Sequence, residues 1–149
     1  MTGIKAVKTA ALGVIPLIWG ILLDKLMMLP IPAIIWTVLG IASLILWGLL
    51  AKKTMQADRR PVVHMLLLNA VGLVMLILVL IQELVFGRYL GNFAGLAGQF
   101  YFLPCLGPAS WLVQTIARPV VLHSWYIYLL EYALMAAASL WGSEKGNSK

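Results

Sequence analysis

The stretch YLGNFAGLAGQFYFLPCLGPASWLVQTIA, residues 89–117, decides how this chain is folded. It carries no charge, which suits the interior of a bilayer. Yet Gly91, Gly95, Gly98, Pro104, Gly107 and Pro108 interrupt it, and Asn92, Gln99 and Gln114 add polar groups. In lipid every backbone amide needs a partner, so irregular backbone survives at that depth only where protein or water surrounds it. The stretch is therefore either a broken helix that crosses among its neighbours or a re-entrant segment that turns back. Gly91 and Gly95 also match the small-xxx-small spacing that lets helices approach closely.

Working outward, four flanking stretches read as spanning helices: residues 6–26, 32–50, 61–82 and 119–141. Each is close to the ~20 apolar residues that a crossing needs. Pro32, Pro61 and Pro119 open three of them, at positions where the missing amide hydrogen has no helical partner anyway. The short turn Leu29-Pro30-Ile31-Pro32 predicts a tight antiparallel hairpin between the first two.

Composition supports the same class. Of 149 residues, 62% are hydrophobic and 11% charged, with a mean hydropathy of +0.97, whereas about a quarter of a soluble domain is charged. A chain of this length cannot hide that much apolar surface from water. The expectation is an all-α integral membrane protein with one polytopic domain over residues 1–149, a small bundle of five transmembrane helices whose fourth, 93–117, is broken or re-entrant. Lys5 and Lys8 ahead of an apolar run resemble a signal peptide, but Asp24-Lys25 stands where a small-residue cleavage site belongs, so the first helix is expected to be retained.

The net charge of +6 is spread over short clusters between apolar stretches. That pattern excludes a nucleic-acid face and suits topology signals and contacts with anionic headgroups. The single cysteine, Cys105, excludes an internal disulfide and a cysteine-based zinc site.

Two signals bear on orientation, and they disagree. Lys52, Lys53, Arg59 and Arg60 place their loop in the cytoplasm, and the amino terminus with Lys5 and Lys8 joins it. If residues 89–117 turn back, the carboxy terminus comes inside too, and the basic residues divide eight against three. Against this, Arg60-Pro61-Val62-Val63-His64 and Arg118-Pro119-Val120-Val121-Leu122-His123 are nearly one motif written twice. Matched openings imply helices that start from the same face, so five crossings are expected, with the carboxy terminus outside. The membrane expected is a bacterial inner (plasma) membrane.

Glu131 is the only acid between residues 119 and 141. At a rise of ~1.5 Å per residue it lies roughly 18 Å from Pro119, near the middle of a hydrocarbon core about 30 Å thick. Ionisable groups at that depth are costly and mark ligand, ion or proton sites. Asn69, about 12 Å in from Pro61 by the same rise, is the nearest polar residue in depth on the third helix. A structural role for Glu131 would be a neutral acid donating a hydrogen bond to Asn69 or to a backbone carbonyl. A functional role would be proton or cation coupling.

His64 and His123 each fall about one turn inside a helix that opens with proline. Two imidazoles at matched depth can bracket a b-type haem. Two histidines without a carboxylate or thiolate cluster fall short of a metal site, so no cofactor is predicted, with haem b as the alternative. Trp36, Trp47, Trp111, Trp125, Tyr126 and Trp141 sit near predicted helix ends, where interfacial belts form.

No catalytic signature is present: neither H-E-x-x-H nor G-x-S-x-G occurs, and there is no pair of intramembrane acids. The functional expectation is a non-catalytic subunit or scaffold of a larger membrane complex. One alternative is a small oligomeric transporter or channel using Glu131 for coupling; another is a haem- or lipid-binding membrane protein using His64 and His123. The partners expected are the bilayer and either a larger membrane protein or further copies of this chain, and no nucleic acid.

Overall fold

The computed structural model describes residues 3–55, 60–88, 91–116 and 124–147, and these are helical with no strand among them. In chain order the elements are α1 (Gly3–Leu12), α2 (Ile15–Met27), α3 (Ala33–Thr54), α4 (Pro61–Leu68), α5 (Ala70–Leu84), α6 (Phe93–Phe102), a single 3-10 turn (Leu103–Cys105), α7 (Leu106–Ile116) and α8 (Ser124–Asn147). Two helical rods are long and apolar enough to cross a membrane, Gly3–Met27 and Ala33–Thr54. A third joins them if the bent pair α4–α5 is counted as one. Length and composition thus support two or three crossings among the described residues, fewer than the five expected.

The distribution of polarity is inverted relative to a protein in water. Ile18, Leu22, Ile34, Val38, Ile45, Leu46, Val74 and Ile77 are exposed, while Thr9, His64, Asn69, Gln82, Glu131, Ser139 and Ser143 are buried. Lipid accepts apolar side chains on the outside, and polar groups then find partners only within the bundle.

Local chemistry explains the breaks. Pro16 lies in the first turn of α2 and supplies no amide hydrogen, so α1 closes at Gly13 and Val14 with bonds to Ala10 and Ala11 three residues back. The α4–α5 rod bends by 53° at Asn69, whose backbone leaves the helical region at φ −97°, ψ 10°. The Asn69 Nδ2 group donates to the carbonyl of Met65, four residues back. A side chain that competes for the helical acceptor is a recognised cause of such bends. At α6, the Asn92 side chain accepts from the Gly95 amide at 2.9 Å, an N-cap that satisfies one of the orphan donors. Gly91 meets nothing within 4 Å, while Gly98 lies against Val79 of α5.

Pairwise contacts fix the direction of every rod. Trp19 of α2 bonds Ser43 of α3, and His64 and Asn69 of α4 meet Thr54 and Trp47, so α3 runs antiparallel to both neighbours. The α8 helix bonds α4 at Ser139–Asn69 and α5 at Ser124–Glu83, and is antiparallel to that rod. Its most extensive partner is α3: Gly142 lies on the backbone of Gly48, and Gly146 on Lys52 and Met55, so these two helices are parallel. The start of α1, the end of α3 and the end of α8 therefore share one end of the bundle.

These directions leave one solution for residues 91–116. The segment follows α5 and precedes α8 at the end of the bundle marked by Glu83 and Ser124. From there α6 descends along α5, with Gly98 against Met75 and Val79 and Tyr101 against Gly72. The 3-10 turn reaches mid-bundle, where the Pro104 carbonyl lies against Gly40, and α7 returns with Gly107 against Trp36 and Thr37. The pair is V-shaped and turns back on itself. The five crossings expected are not confirmed: the described helices make four end-to-end passes through the bundle and one that turns back, with α8 packed parallel to α3. The second Arg-Pro-Val-Val copy lies outside the described residues, and the helix that follows it, α8, starts at the end opposite to α4.

Two glycine contacts show how close the backbones come. A side chain at Gly20 would collide with the carbonyl of Phe100, and one at Gly142 with that of Gly48. Neither neighbour is a flexible side chain that can move aside. Gly142→Ala is expected to lower stability in detergent by about 1–3 kcal/mol through overpacking, while Gly91→Ala, at an open position, should leave it unchanged. Thermal unfolding of the two variants in mild detergent checks this.

Candidate functional site around Glu131

The α8 helix turns Glu131, Met135, Ser139 and Ser143 inward, at intervals of four residues along one broad face, and all four are buried. The upper part of this face meets the apex of the re-entrant pair. Glu131 is 0% exposed and lies near Cys105 of the 3-10 turn. Tyr101, at the end of α6, lies near Cys105 and Tyr132, the residue after Glu131. Rings complete the wall: Tyr101 and Phe102 meet edge to face at 5.1 Å, and Phe102 tilts against Tyr128 of α8 at 5.8 Å.

Within this wall neither carboxyl oxygen of Glu131 makes a hydrogen bond to a described residue. Buried polar groups are normally satisfied, and an exception calls for a physical reason. The bond to Asn69 or to a backbone carbonyl expected of a structural acid is not made among the described residues.

Asn69 is engaged elsewhere. Its Oδ1 accepts from Trp47 Nε1 at 3.2 Å, and its Nδ2 donates to Ser139 Oγ at 2.7 Å and to the Met65 carbonyl at 2.9 Å. Ser139 Oγ donates to the Ala136 carbonyl, and Ser143 Oγ to that of Ser139. The depth argument that paired Asn69 with Glu131 assumed both helices start from one face. They start from opposite ends, so Asn69 meets α8 at Ser139, eight residues and about 12 Å along the helix from Glu131.

His64 is fully buried, with Nε2 3.2 Å from Thr54 Oγ1. Axial ligation through that nitrogen would have to give up the contact. His123 lies outside the described residues, as does its expected pairing with His64; its neighbour Ser124 bonds Glu83, at the far end of the α4–α5 rod from His64. Of the aromatics assigned to a belt, Trp111 and Trp141 are exposed, whereas Trp47 is 5% exposed and donates to Asn69. Cys105, Tyr101 and Ser139 were missed as neighbours of this region. Ser139 alone had a signal, its spacing of eight from Glu131, which places both near one helical face.

No family model matches this chain, and no curated protein or solved structure matches it either.

Chemically, the arrangement divides in two. The Trp47–Asn69–Ser139 cluster is satisfied and holds α3, α4 and α8 together. Glu131 is an acid without a hydrogen-bond partner among the described residues, at the junction of α8 and a helix break. Asn69→Ala removes the acceptor of Trp47 and the donor to Ser139, and is expected to cost about 1–2 kcal/mol of stability. Reversible unfolding in detergent measures it, and a Trp47→Phe, Asn69→Ala double-mutant cycle should give a coupling energy different from zero.

Proposed function

We propose that this protein is a small transporter or channel in which Glu131 is the proton- or cation-coupling group. The observation that carries this reading is the fully buried carboxyl with no hydrogen-bond partner among the described residues, set at the apex of a re-entrant helix pair. Interrupted helices that meet near the middle of a bilayer are a recurring way of building such sites, because a broken backbone lines a pathway where lipid would not tolerate it. A purely structural acid would be tied to a neighbour. The reading of a non-catalytic subunit loses its main use for Glu131, since Asn69 and the serines of α8 already supply the polar adhesion.

The four end-to-end passes become four membrane crossings, with Gly3, the Lys52–Arg60 loop and Asn147 in the cytoplasm. The eight-to-three division of basic residues supports this orientation. With so few helices, a closed pathway calls for more than one copy of the chain.

Glu131→Gln keeps the size and hydrogen-bonding capacity of the neutral acid but cannot exchange a proton. In proteoliposomes carrying an internal pH dye, the wild-type chain is expected to move protons or monovalent cations down an imposed gradient. Glu131→Gln should abolish that flux, with thermal stability in detergent unchanged. A Glu131→Gln protein with full flux would remove the coupling role, and a wild-type protein without flux would return the subunit reading to first place.

A further inference from the structure

A cavity of about 380 Å³ lies below the re-entrant apex, between α2 and α3. Pro16 and Trp19 of α2, Trp47 and Leu50 of α3, Cys105 of the apex and Met135 of α8 form most of its wall. The polar edges of both indoles are occupied: Trp19 Nε1 donates to Ser43 and Trp47 Nε1 to Asn69. What the two tryptophans offer the cavity is apolar aromatic surface held in place. The volume lies in the range that takes a drug-sized ligand.

Glu131 stands behind this wall. Met135 follows it by one helical turn on the same buried face, and Cys105, also of the wall, lies near it. A displacement of Cys105 and Met135 at the apex would join the carboxyl to the cavity. An apolar aromatic chamber backed by one acid selects for a particular chemistry. Indole faces attract cations through the ring quadrupole, and a carboxylate in a dry site is stabilised by an opposite charge. The exposed Leu46 and Trp19 set the mouth of the cavity on the outer surface of the bundle, so its occupant arrives from the lipid side.

We infer that this cavity binds a hydrophobic monovalent cation, whose charge replaces the proton of Glu131. The inference rests on the coupling role proposed for that residue and adds the class of substrate. The exchange balances: one cation enters, the carboxylic O–H releases one proton to solvent, and the net charge of the site is unchanged.

The test uses tetraphenylphosphonium with the full chain in weakly buffered detergent, and tetraphenylborate as an anion of matched shape. Equilibrium dialysis should show phosphonium binding with release of about one proton per cation, and borate binding at least about tenfold weaker. Glu131→Gln should remove the proton release and weaken phosphonium binding about tenfold or more, and Trp19→Leu, at a partly exposed position, should weaken it without changing the proton count. Equal binding of the two ions, or phosphonium binding indifferent to Glu131→Gln, would overturn the inference and leave an apolar lipid groove. Proton flux that depends on Glu131 without any phosphonium binding would overturn the substrate class alone and keep the coupling role. Loss of both would remove the coupling role with it.

Discussion

The backbone contact between α3 and α8 is the constraint on which the rest of the structure depends. Gly48 and Gly142 bring the two helices together at a distance that no side chain permits, and Gly146 extends the seam to Lys52 and Met55. In lipid, where apolar burial gives little drive for helices to associate, such close approach supplies van der Waals contact instead. The seam also fixes direction. Once α8 is parallel to α3, it starts at the end of the bundle where α5 finishes, and the 91–116 segment has to begin and end at that same place.

That geometry separates two uses of polarity inside the bundle. Around Asn69 the side chains of Trp47 and Ser139 come from two other helices and are paired with it, and the local bond from Asn69 to the Met65 carbonyl at the bend is part of the same arrangement. Half a bundle away, the apex of the V brings Cys105 and the aromatic rings against α8, and Glu131 sits among them with no hydrogen-bond partner among the described residues. A satisfied polar cluster stabilises whatever state it is in, whereas an unsatisfied acid is sensitive to what reaches it. The first belongs to the fold and the second to the proposed function.

Much of this was legible in the sequence. The helical rods fall close to the apolar stretches, because their length and composition leave few alternatives in lipid. Glu131 stood out as the one acid between residues 119 and 141 and is buried. The choice between crossing and turning back was not legible, since glycine and proline at 91–108 break a helix without saying which way it continues. The basic residues pointed to both chain ends on one side, and the repeated Arg-Pro-Val-Val motif pointed the other way. The motif describes how a helix starts and carries no information about the face from which it starts. The partner of Asn69 was misassigned for the same reason: depth counted from the wrong end lands on Glu131, and counted from the right end lands on Ser139. Trp47 was placed at an interface because it lies near a helix end in sequence, while its indole is inside, bonded to a residue that only the folded chain brings close.

The re-entrant apex is the central claim, and sidedness tests it most directly. Single cysteines at Met55, Arg88 and the exposed Glu144, in a Cys105→Ala background, can be labelled from either face of sealed vesicles with a membrane-impermeant maleimide. A V-shaped segment between α5 and α8 places Met55 and Glu144 on one face and Arg88 on the other. Labelling of Met55 and Glu144 from opposite faces would contradict the re-entrant pair and require residues 91–116 to cross.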